Sequence, residues 1–184
     1  SVAYDQVYAN DEERDAFFAY IPGFDPMNPN GKDQVDLVRP FAQLNAISTD
    51  TWATLAANGI ELSTSTVKLT TYNTFNLVNG EVSGNAVTML HPTEISTINT
   101  NTQGEVGLLS MNYLFAPAGG YTTNVEFIFE NNKNIDFGTS YTYVPLKRNY
   151  KTNVVGGLLT GQVTYNITFE DDFLTDNEHN EEIN

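Results

Sequence analysis

The chain has 184 residues, of which 40% are hydrophobic and none is cysteine, and its formal net charge is −15. A chain of this length can bury roughly 70% of its unfolded surface in one domain, and the lack of cysteine excludes disulfides, thiolate metal ligands and a thiol nucleophile. The negative charge argues against nucleic acid and anionic membrane surfaces as partners, because both attract cationic proteins.

No targeting or membrane-spanning segment is visible in the sequence. The apolar runs fall well short of the ~18 residues that a transmembrane helix requires. The first nine residues lack the charged and then apolar pattern of a secretory signal. We therefore expect a soluble chain, with any export signal upstream of it.

Short apolar and alternating runs predict a chain built from β-strands. The clearest run is near the end, where Val163, Tyr165, Ile167 and Phe169 alternate with polar residues in strict period two. In chain order, the candidate strands are 16–21, 35–38, 41–47, 60–62, 67–72, 75–78, 87–90, 109–115, 125–129, 141–146 and 163–169.

Turn residues separate these strands. Asn79-Gly80 predicts a type I′ hairpin turn, because that turn needs positive φ at both central residues and this pair tolerates it. Gly119-Gly120 predicts a second hairpin, between 109–115 and 125–129. The apolar parity changes across 63–66, which predicts a bulge or a break there.

One short helix is predicted, over about 51–58. Asp50 would cap its first turn, and Gly59 would end it in the left-handed conformation. Its buried face would carry Trp52, Leu55 and Ala56. Many short strands with a single helix indicate a two-sheet β-sandwich, because an α/β fold needs repeated crossover helices.

Residues suited to catalysis or metal binding are scattered. The loop with Asp25, Asn28, Asn30, Gly31, Asp33 and Asp36 fails as a calcium loop, because placing Gly31 sixth puts Pro26 first and Leu37 twelfth. Glu170, Asp171 and Asp172 are interpreted as a solvated strand end, since neighbours on an extended chain point to opposite faces. His91 and His179 lack any motif spacing. We predict no enzyme activity, no catalytic, cofactor-binding or metal-ligating residues, and no cofactors.

Three further patterns have plain interpretations. The basic cluster Lys147, Arg148 and Lys151 is interpreted as a solvated loop, with a phosphate or sulfate site as the less favoured alternative. Asn166-Ile167-Thr168 matches a glycosylation acceptor by chance, because it lies inside a strand. Some aromatic residues could form a carbohydrate platform, although core and edge packing is the simpler explanation; they are Tyr4, Tyr8, Tyr141, Tyr143 and Tyr150.

Several short segments between residues 14 and 173, taken together and in this order, indicate a family resemblance. They are 14–19 (RDAFFA), 37–45 (LVRPFAQLN), 57–60 (ANGI), 75–77 (FNL), 109–117 (LSMNYLFAP), 144–153 (VPLKRNYKTN) and 157–160 (GLLT). Together they resemble the fimbrillin-like surface proteins of Bacteroidota, which derive from lipoproteins and are related to type V pilins. None of the segments is a catalytic signature.

The resemblance implies an all-β fold, an antiparallel β-sandwich of the transthyretin or immunoglobulin type with one short helix. Residues 1–31 would be the end of an upstream sandwich domain with its linker, 32–173 the C-terminal sandwich, and 174–184 an acidic tail. It also implies export to the outer membrane or a fimbrium, with membrane attachment only through a lipid anchor upstream of this chain. The partners would be other fimbrial subunits, or ligands on host or bacterial surfaces.

The resemblance also implies cell adhesion or assembly into a pilus by β-strand addition, in which a segment of one subunit completes the sheet edge of another. The tail is a doubtful donor, because 175–182 has no apolar residue. A tip, an accessory component or a lipoprotein that never polymerises are open alternatives. A glycan-binding surface module and a hydrolase with His91 beside carboxylates are the other functions considered.

Overall fold

The structure is a computed structural model that describes residues 1–3, 15–25, 27, 35–94, 104–131, 137–160 and 165–170. These residues are mostly β with one short helix, as the sequence predicts. The elements in chain order are β1 (Val2–Ala3), β2 (Phe41–Thr51), α1 (Trp52–Ala57), β3 (Leu62–Phe75), β4 (Val82–Glu94), β5 (Glu105–Phe115), β6 (Tyr121–Asn131), β7 (Phe137–Leu146), β8 (Lys151–Gly156) and β9 (Tyr165–Glu170).

Strand β3 organises the sheet, because it has different partners along its length. One side of β3 pairs with β4 throughout 64–75. The other side pairs with β6 over 62–69, then with β5 at Tyr72, and finally with β1. The main path of the sheet is β7-β6-β3-β5-β2-β8-β9, so the strands curl into a nearly closed, barrel-like arrangement.

The described strands form one mixed sheet, which corrects the expectation of two antiparallel sheets in a sandwich. Strand β8 runs parallel to β2, while the other described pairs are antiparallel. After β7, a turn places the chain at the end of the sheet where β2 begins. There Asn149 N–H donates to Phe41 O at 2.8 Å, and Gln43 N–H donates to Tyr150 O at 3.0 Å. β8 therefore leaves this end in the same direction as β2.

The main core lies inside the curl. Alternate residues of β2 and β6 face it and are buried: Ala42, Leu44, Ala46, Val125, Phe127 and Phe129. The period-two pattern of 125–129 is thereby confirmed as one face of a half-buried strand. Burying these side chains is the main source of stability, at ~25 cal/mol per Å² of apolar surface.

A second aromatic cluster lies on the opposite face of β2 and β5. Phe41 stacks on Phe115, with ring centroids 4.9 Å apart. Phe18, from the segment before β2, packs edge-on against Phe75 at 4.6 Å and pairs its backbone with Val38. This segment is therefore held to the sheet. The proposed domain boundaries at 31 and 173 stay a prediction.

The predicted hairpin around Gly119-Gly120 is wrong. β5 pairs with β2 and touches β3, while β6 pairs with β3 and β7. The two strands flank the turn in sequence but lie in different parts of the curled sheet. A turn signal fixes where the chain reverses, whereas the partner depends on which strand covers each apolar face.

The turn at Asn79-Gly80 is in the predicted place with a different geometry. Asn76 N–H donates to Glu81 O and Gly80 N–H donates to Asn76 O, both at 2.8 Å, which makes a four-residue loop. Gly80 has φ of +70°, and Asn79 is not in the positive-φ region. The single left-handed glycine is typical of a bulged hairpin and excludes a type I′ turn.

Strand boundaries depart from prediction in several places, and the predicted strand 75–78 is wrong, because β3 ends at Phe75 and the following residues form the turn into β4. The predicted strands 60–62 and 67–72 belong largely to one strand, β3, with the expected irregularity present as register shifts between Leu62 and Val67. The predicted strands 16–21 and 35–38 reduce to the bridge between Phe18 and Val38. Strand β8 was not predicted, because its six residues form a short segment between two turns.

The helix has the predicted place and end but a different cap. Thr51 Oγ1 accepts a hydrogen bond from Thr54 N–H at 3.1 Å, so Thr51 is the N-cap. Gly59 ends the helix with φ of +60°, as expected. Of the three residues predicted to face the core, Leu55 is buried, Trp52 is partly buried and Ala56 is exposed.

Candidate functional site

Strand β4 forms a long edge of the sheet. Ten of its 13 residues pair with β3, and no other strand pairs with it in the part of the chain that the structure describes. A row of backbone N–H and C=O groups on an edge is a template for another strand. We refer to the outer side of β4 over 82–90 as the β4 edge.

The register identifies which amides belong to the β4 edge. Asn76 N–H donates to Glu81 O, so these two residues form a hydrogen-bonded pair. Pairing continues without a shift from Phe75–Val82 to Val67–Leu90. Because hydrogen-bonded and non-hydrogen-bonded pairs alternate in an antiparallel ladder, the outward N–H and C=O groups belong to residues 82, 86, 88 and 90, while Gly84, whose φ is +72°, departs from the regular ladder.

The β4 edge lacks most of the usual protections against strand addition; the exception is Gly84, whose φ of +72° distorts the strand locally. Its sequence, VSGNAVTML, contains no charged residue and no proline. Pro92 comes only after the edge, where the register shifts. Natural edge strands are normally short, charged, bulged or interrupted by proline. The β4 edge has the length and composition of a strand that accepts a partner.

The edge strand β7 is protected, in contrast. It carries Pro145 near its end, and a bulge places Thr142 and Tyr143 opposite Asn124. Tyr143 has φ of +57°, which twists the backbone away from a regular ladder. β9, at the other end of the sheet, has six residues. The two ends of the main path are thus poorer acceptors than β4.

A groove of about 810 Å³ lies between the segment before β2 and the turns after β3 and β7. Arg148 lines it and donates from Nη1 to Gly80 O at 2.8 Å. Its guanidinium carbon lies 5.6 Å from the ring centres of both Phe18 and Phe75. Burial lowers the pKa of Arg148 from its ordinary value, because desolvation disfavours the cation. It still stays protonated at neutral pH. These contacts of Arg148 connect the segment that contains Phe18 to the turn after β3.

The three clustered basic residues do not form one anion site and are not a solvated loop, which corrects the prediction. Arg148 lies in the groove, whereas Lys147 Nζ lies 3.9 Å from the centre of the Tyr150 ring. Lys151 is buried on β8, beside Gln43 and Glu170 in the strand register. Because Lys147 and Arg148 lie in a turn and Lys151 lies in a strand, the three side chains point in different directions.

Asp50 has a structural role that the sequence did not reveal. Its carboxylate accepts hydrogen bonds from Ser48 Oγ at 2.7 Å, Leu159 N–H at 2.8 Å and Thr160 Oγ1 at 2.5 Å. The side chain is 7% exposed. Asp50 therefore ties the end of β2 to the loop after β8, and leaves the helix cap to Thr51. No local pattern identifies such a distant partner.

The other polar candidates lie apart. Asp25 accepts a hydrogen bond from Met27 N–H at 2.9 Å, and Asp36 lines the groove. Asn166 and Thr168 lie on β9, as predicted. His91 is on β4, and no group of three or more histidines and carboxylates placed to hold a metal occurs among the described residues. Asn28, Asn30, Gly31, Asp33, Asp171, Asp172 and His179 lie outside the described residues.

The proposed aromatic platform does not form as a single row. Tyr141 is buried in the core, and Tyr150 stacks on Phe169 with ring centroids 4.8 Å apart. Tyr143 is 79% exposed. Tyr4 and Tyr8 lie outside the described residues. Core and edge packing thus accounts for the positions of Tyr141 and Tyr150, but it does not account for the exposure of Tyr143.

The fold and the β4 edge define a predominantly β protein with an edge strand whose outer backbone groups pair with no other strand among the described residues. No helix in the described part of the chain has the length and apolarity to cross a bilayer. The chain belongs to the family of unknown function DUF6562, whose model matches residues 1–184. No curated protein matches the chain.

Solved structures with distant similarity come from Bacteroides. A candidate cell adhesion protein from Bacteroides ovatus ATCC 8483 is 19% identical, with 77% of this chain and 49% of that chain covered and a TM-score of 0.47. A fimbrial protein from Bacteroides vulgatus ATCC 8482 is 12% identical, with 78% and 57% covered and a TM-score of 0.36. This chain spans about half the length of each.

Proposed function

We propose that this protein is a non-enzymatic cell-surface component, a fimbrial or adhesive subunit that joins a neighbouring protein by β-strand addition at the β4 edge. The observation that carries the proposal is the unprotected outer side of residues 82–90. Strand addition obtains affinity from main-chain hydrogen bonds and specificity from alternate side chains.

The contrast between edges supports this choice of acceptor. β7 has a bulge and Pro145, and β9 is short, so both have features that discourage pairing. An uncharged nine-residue edge is an aggregation hazard unless a partner covers it. The simplest physical reason to keep such an edge is that a specific strand occupies it in the assembled state.

The sequence segments that resemble fimbrillin-like proteins support surface display. They imply an exported protein held at the outer membrane by a lipid anchor upstream of this chain. The net charge of −15 suits an exposed protein that stays soluble and repels anionic surfaces.

The proposal is tested with Thr88→Pro. Thr88 N–H points outward, so proline removes one donor of the β4 edge and leaves the bonds to β3 intact. We expect the monomer to stay folded, with a melting temperature lowered by no more than about 4 °C, which corresponds to ~1 kcal/mol. Surface-extracted protein from the natural host is then compared by light scattering and electron microscopy. The wild type should assemble and Thr88→Pro should not.

Val87→Pro is the matched control. Its N–H bonds to β3, so this proline breaks the ladder and should lower the stability of the monomer much more than Thr88→Pro does. Assembly of folded Thr88→Pro at the wild-type level would overturn the proposal. So would a wild-type protein that stays monomeric on the cell surface.

A further inference from the structure

A small hollow opens where β3 leaves β6 and turns towards β5. Pairing of β3 with β6 ends at Leu69 opposite Val125, and Tyr72 already pairs with Phe115 of β5. Between these points the strands diverge and leave a space of about 360 Å³. This volume is at the lower end of the range of about 300–1,000 Å³ for small-molecule sites.

Tyr143 borders this hollow in an unfavourable backbone conformation. Its φ is +57°, in the left-handed region, at a bulge of β7 where glycine is the usual residue. For a residue with a side chain this conformation costs about 1–2 kcal/mol. The ring is 79% exposed, so core packing does not compensate for that cost. Strain in a residue that contributes little to packing is typical of a functional position.

Two other tyrosines complete an aromatic wall. Tyr72 and Tyr121 pack edge-on, with ring centroids 5.1 Å apart. Tyr121 OH and Thr71 Oγ1 share a hydrogen bond of 2.9 Å, which fixes the ring orientation. The hollow is thus bordered by two positioned rings and by the exposed ring of Tyr143.

The rest of the lining is polar and uncharged. It consists of Thr70, Thr122, Thr123 and Asn124. Thr123 Oγ1 donates to Thr70 O at 3.0 Å, so it is used within the protein. Thr122 and Asn124 are exposed residues of the lining, so a ligand in the hollow can reach them. Every lining residue carries a hydroxyl or amide, and none is charged.

We propose that this hollow binds a neutral sugar residue of a glycan. The apolar C–H face of a pyranose ring packs on aromatic rings, and its hydroxyls exchange hydrogen bonds with hydroxyl and amide groups. The uncharged lining offers nothing to a phosphate or a metal ion. The net charge of −15 disfavours acidic polysaccharides at long range. This site is independent of the β4 edge.

The test uses Tyr143→Gly, which separates binding from stability. Glycine adopts positive φ without strain, so we expect this variant to be at least as stable as the wild type. Binding is measured by titration calorimetry against neutral gluco-, manno-, galacto- and xylo-hexaoses. We expect saturable binding of at least one by the wild type, and binding about tenfold weaker by Tyr143→Gly. The wild-type affinity should not change between about 50 and 500 mM NaCl, because no charge lines the hollow.

Asn149→Gly is the matched control. Asn149 also has positive φ, at +65°, but it lies in the turn before β8 and outside the hollow. It should bind the sugars as the wild type does. A decaproline peptide is tested in parallel, since exposed tyrosines also bind polyproline helices. The proposal is overturned by binding of decaproline alone, by no binding to any of the four hexaoses, or by undiminished sugar binding in Tyr143→Gly.

Discussion

Gly80, in the turn between β3 and β4, is required both by its backbone conformation and by the close packing around it. Gly80 has φ of +70°, and a Cβ atom there would lie 2.8 Å from Arg148 Nη1 and 3.3 Å from Phe18 Cζ. The same residue accepts the Arg148 hydrogen bond through its carbonyl. A side chain at Gly80 would therefore strain the turn and displace the arginine that lines the groove.

We predict that Gly80→Ala lowers the free energy of unfolding by about 1–2 kcal/mol, from the left-handed backbone and the contact with Arg148. Urea denaturation measures the change. Gly119→Ala is the control, because a Cβ atom at Gly119 would meet nothing within 4 Å beyond its chain neighbours, and its backbone is not in the left-handed region. It should change the free energy by less than about 0.5 kcal/mol. Equal losses in both variants would contradict the role assigned to Gly80.

Asp50 and Thr51 show how neighbouring residues can exchange expected roles. Both are good helix caps in principle. Thr51 caps α1, while the Asp50 carboxylate is used by Ser48, Leu159 and Thr160. A buried carboxylate needs several donors to offset its lost hydration, and the loop after β8 supplies two of the three. The local sequence predicted Asp50 as the cap, because nothing near it in the chain reveals the distant groups that bind its carboxylate.

At the scale of elements, the alternation of β4 makes a prediction about hydrogen exchange. In the monomer, the amides of Ala86 and Thr88 should exchange at least about tenfold faster than those of Asn85 and Val87, because the first pair faces outward and the second pair bonds to β3. Exchange detected by nuclear magnetic resonance measures this directly. Uniform protection, or the opposite parity, would show that the edge amides are wrongly assigned. In assembled protein, the outward amides should gain protection.

Strand β3 is the element on which both proposals depend. Because it pairs with β6 and then with β5 and β1, it curves from one part of the sheet to another. Its pairing with β4, which keeps one register over 67–75, leaves a long edge outside, and its divergence from β6 opens the hollow at Tyr72. The register shifts between Leu62 and Val67 lie where the parity change in the sequence predicts them.

At the scale of the whole molecule, charge is the dominant long-range property. The chain has 23 acidic and 8 basic residues. Ion pairs such as Arg39 with Asp15 at 2.7 Å exist, but acidic residues outnumber basic ones by 15 (23 − 8). Mutual repulsion of the remaining carboxylates should destabilise the compact state at low ionic strength.

We therefore predict that the melting temperature at pH 7 rises as NaCl increases from about 10 to 200 mM, because salt screens repulsion over the Debye length. Scanning calorimetry measures the shift. Measurement at pH 4, where part of the carboxylate charge is neutralised, is the control and should show a smaller salt effect. A melting temperature that falls with salt at pH 7 would mean that attractive ion pairs outweigh the net repulsion.

The sequence by itself determined the β class, most strand positions, the single helix and its glycine end, because these follow from local periodicity and from residues that tolerate positive φ. Only the tertiary structure decided the partners: the parallel β2–β8 pair, the separation of β5 from β6, and the bonds of Asp50. Such pairings join residues that are far apart in the chain. Each depends on how the apolar faces of the strands pack together to form the core. The β4 edge and the hollow beside Tyr143 belong to this second group, since both arise where β3 changes neighbours.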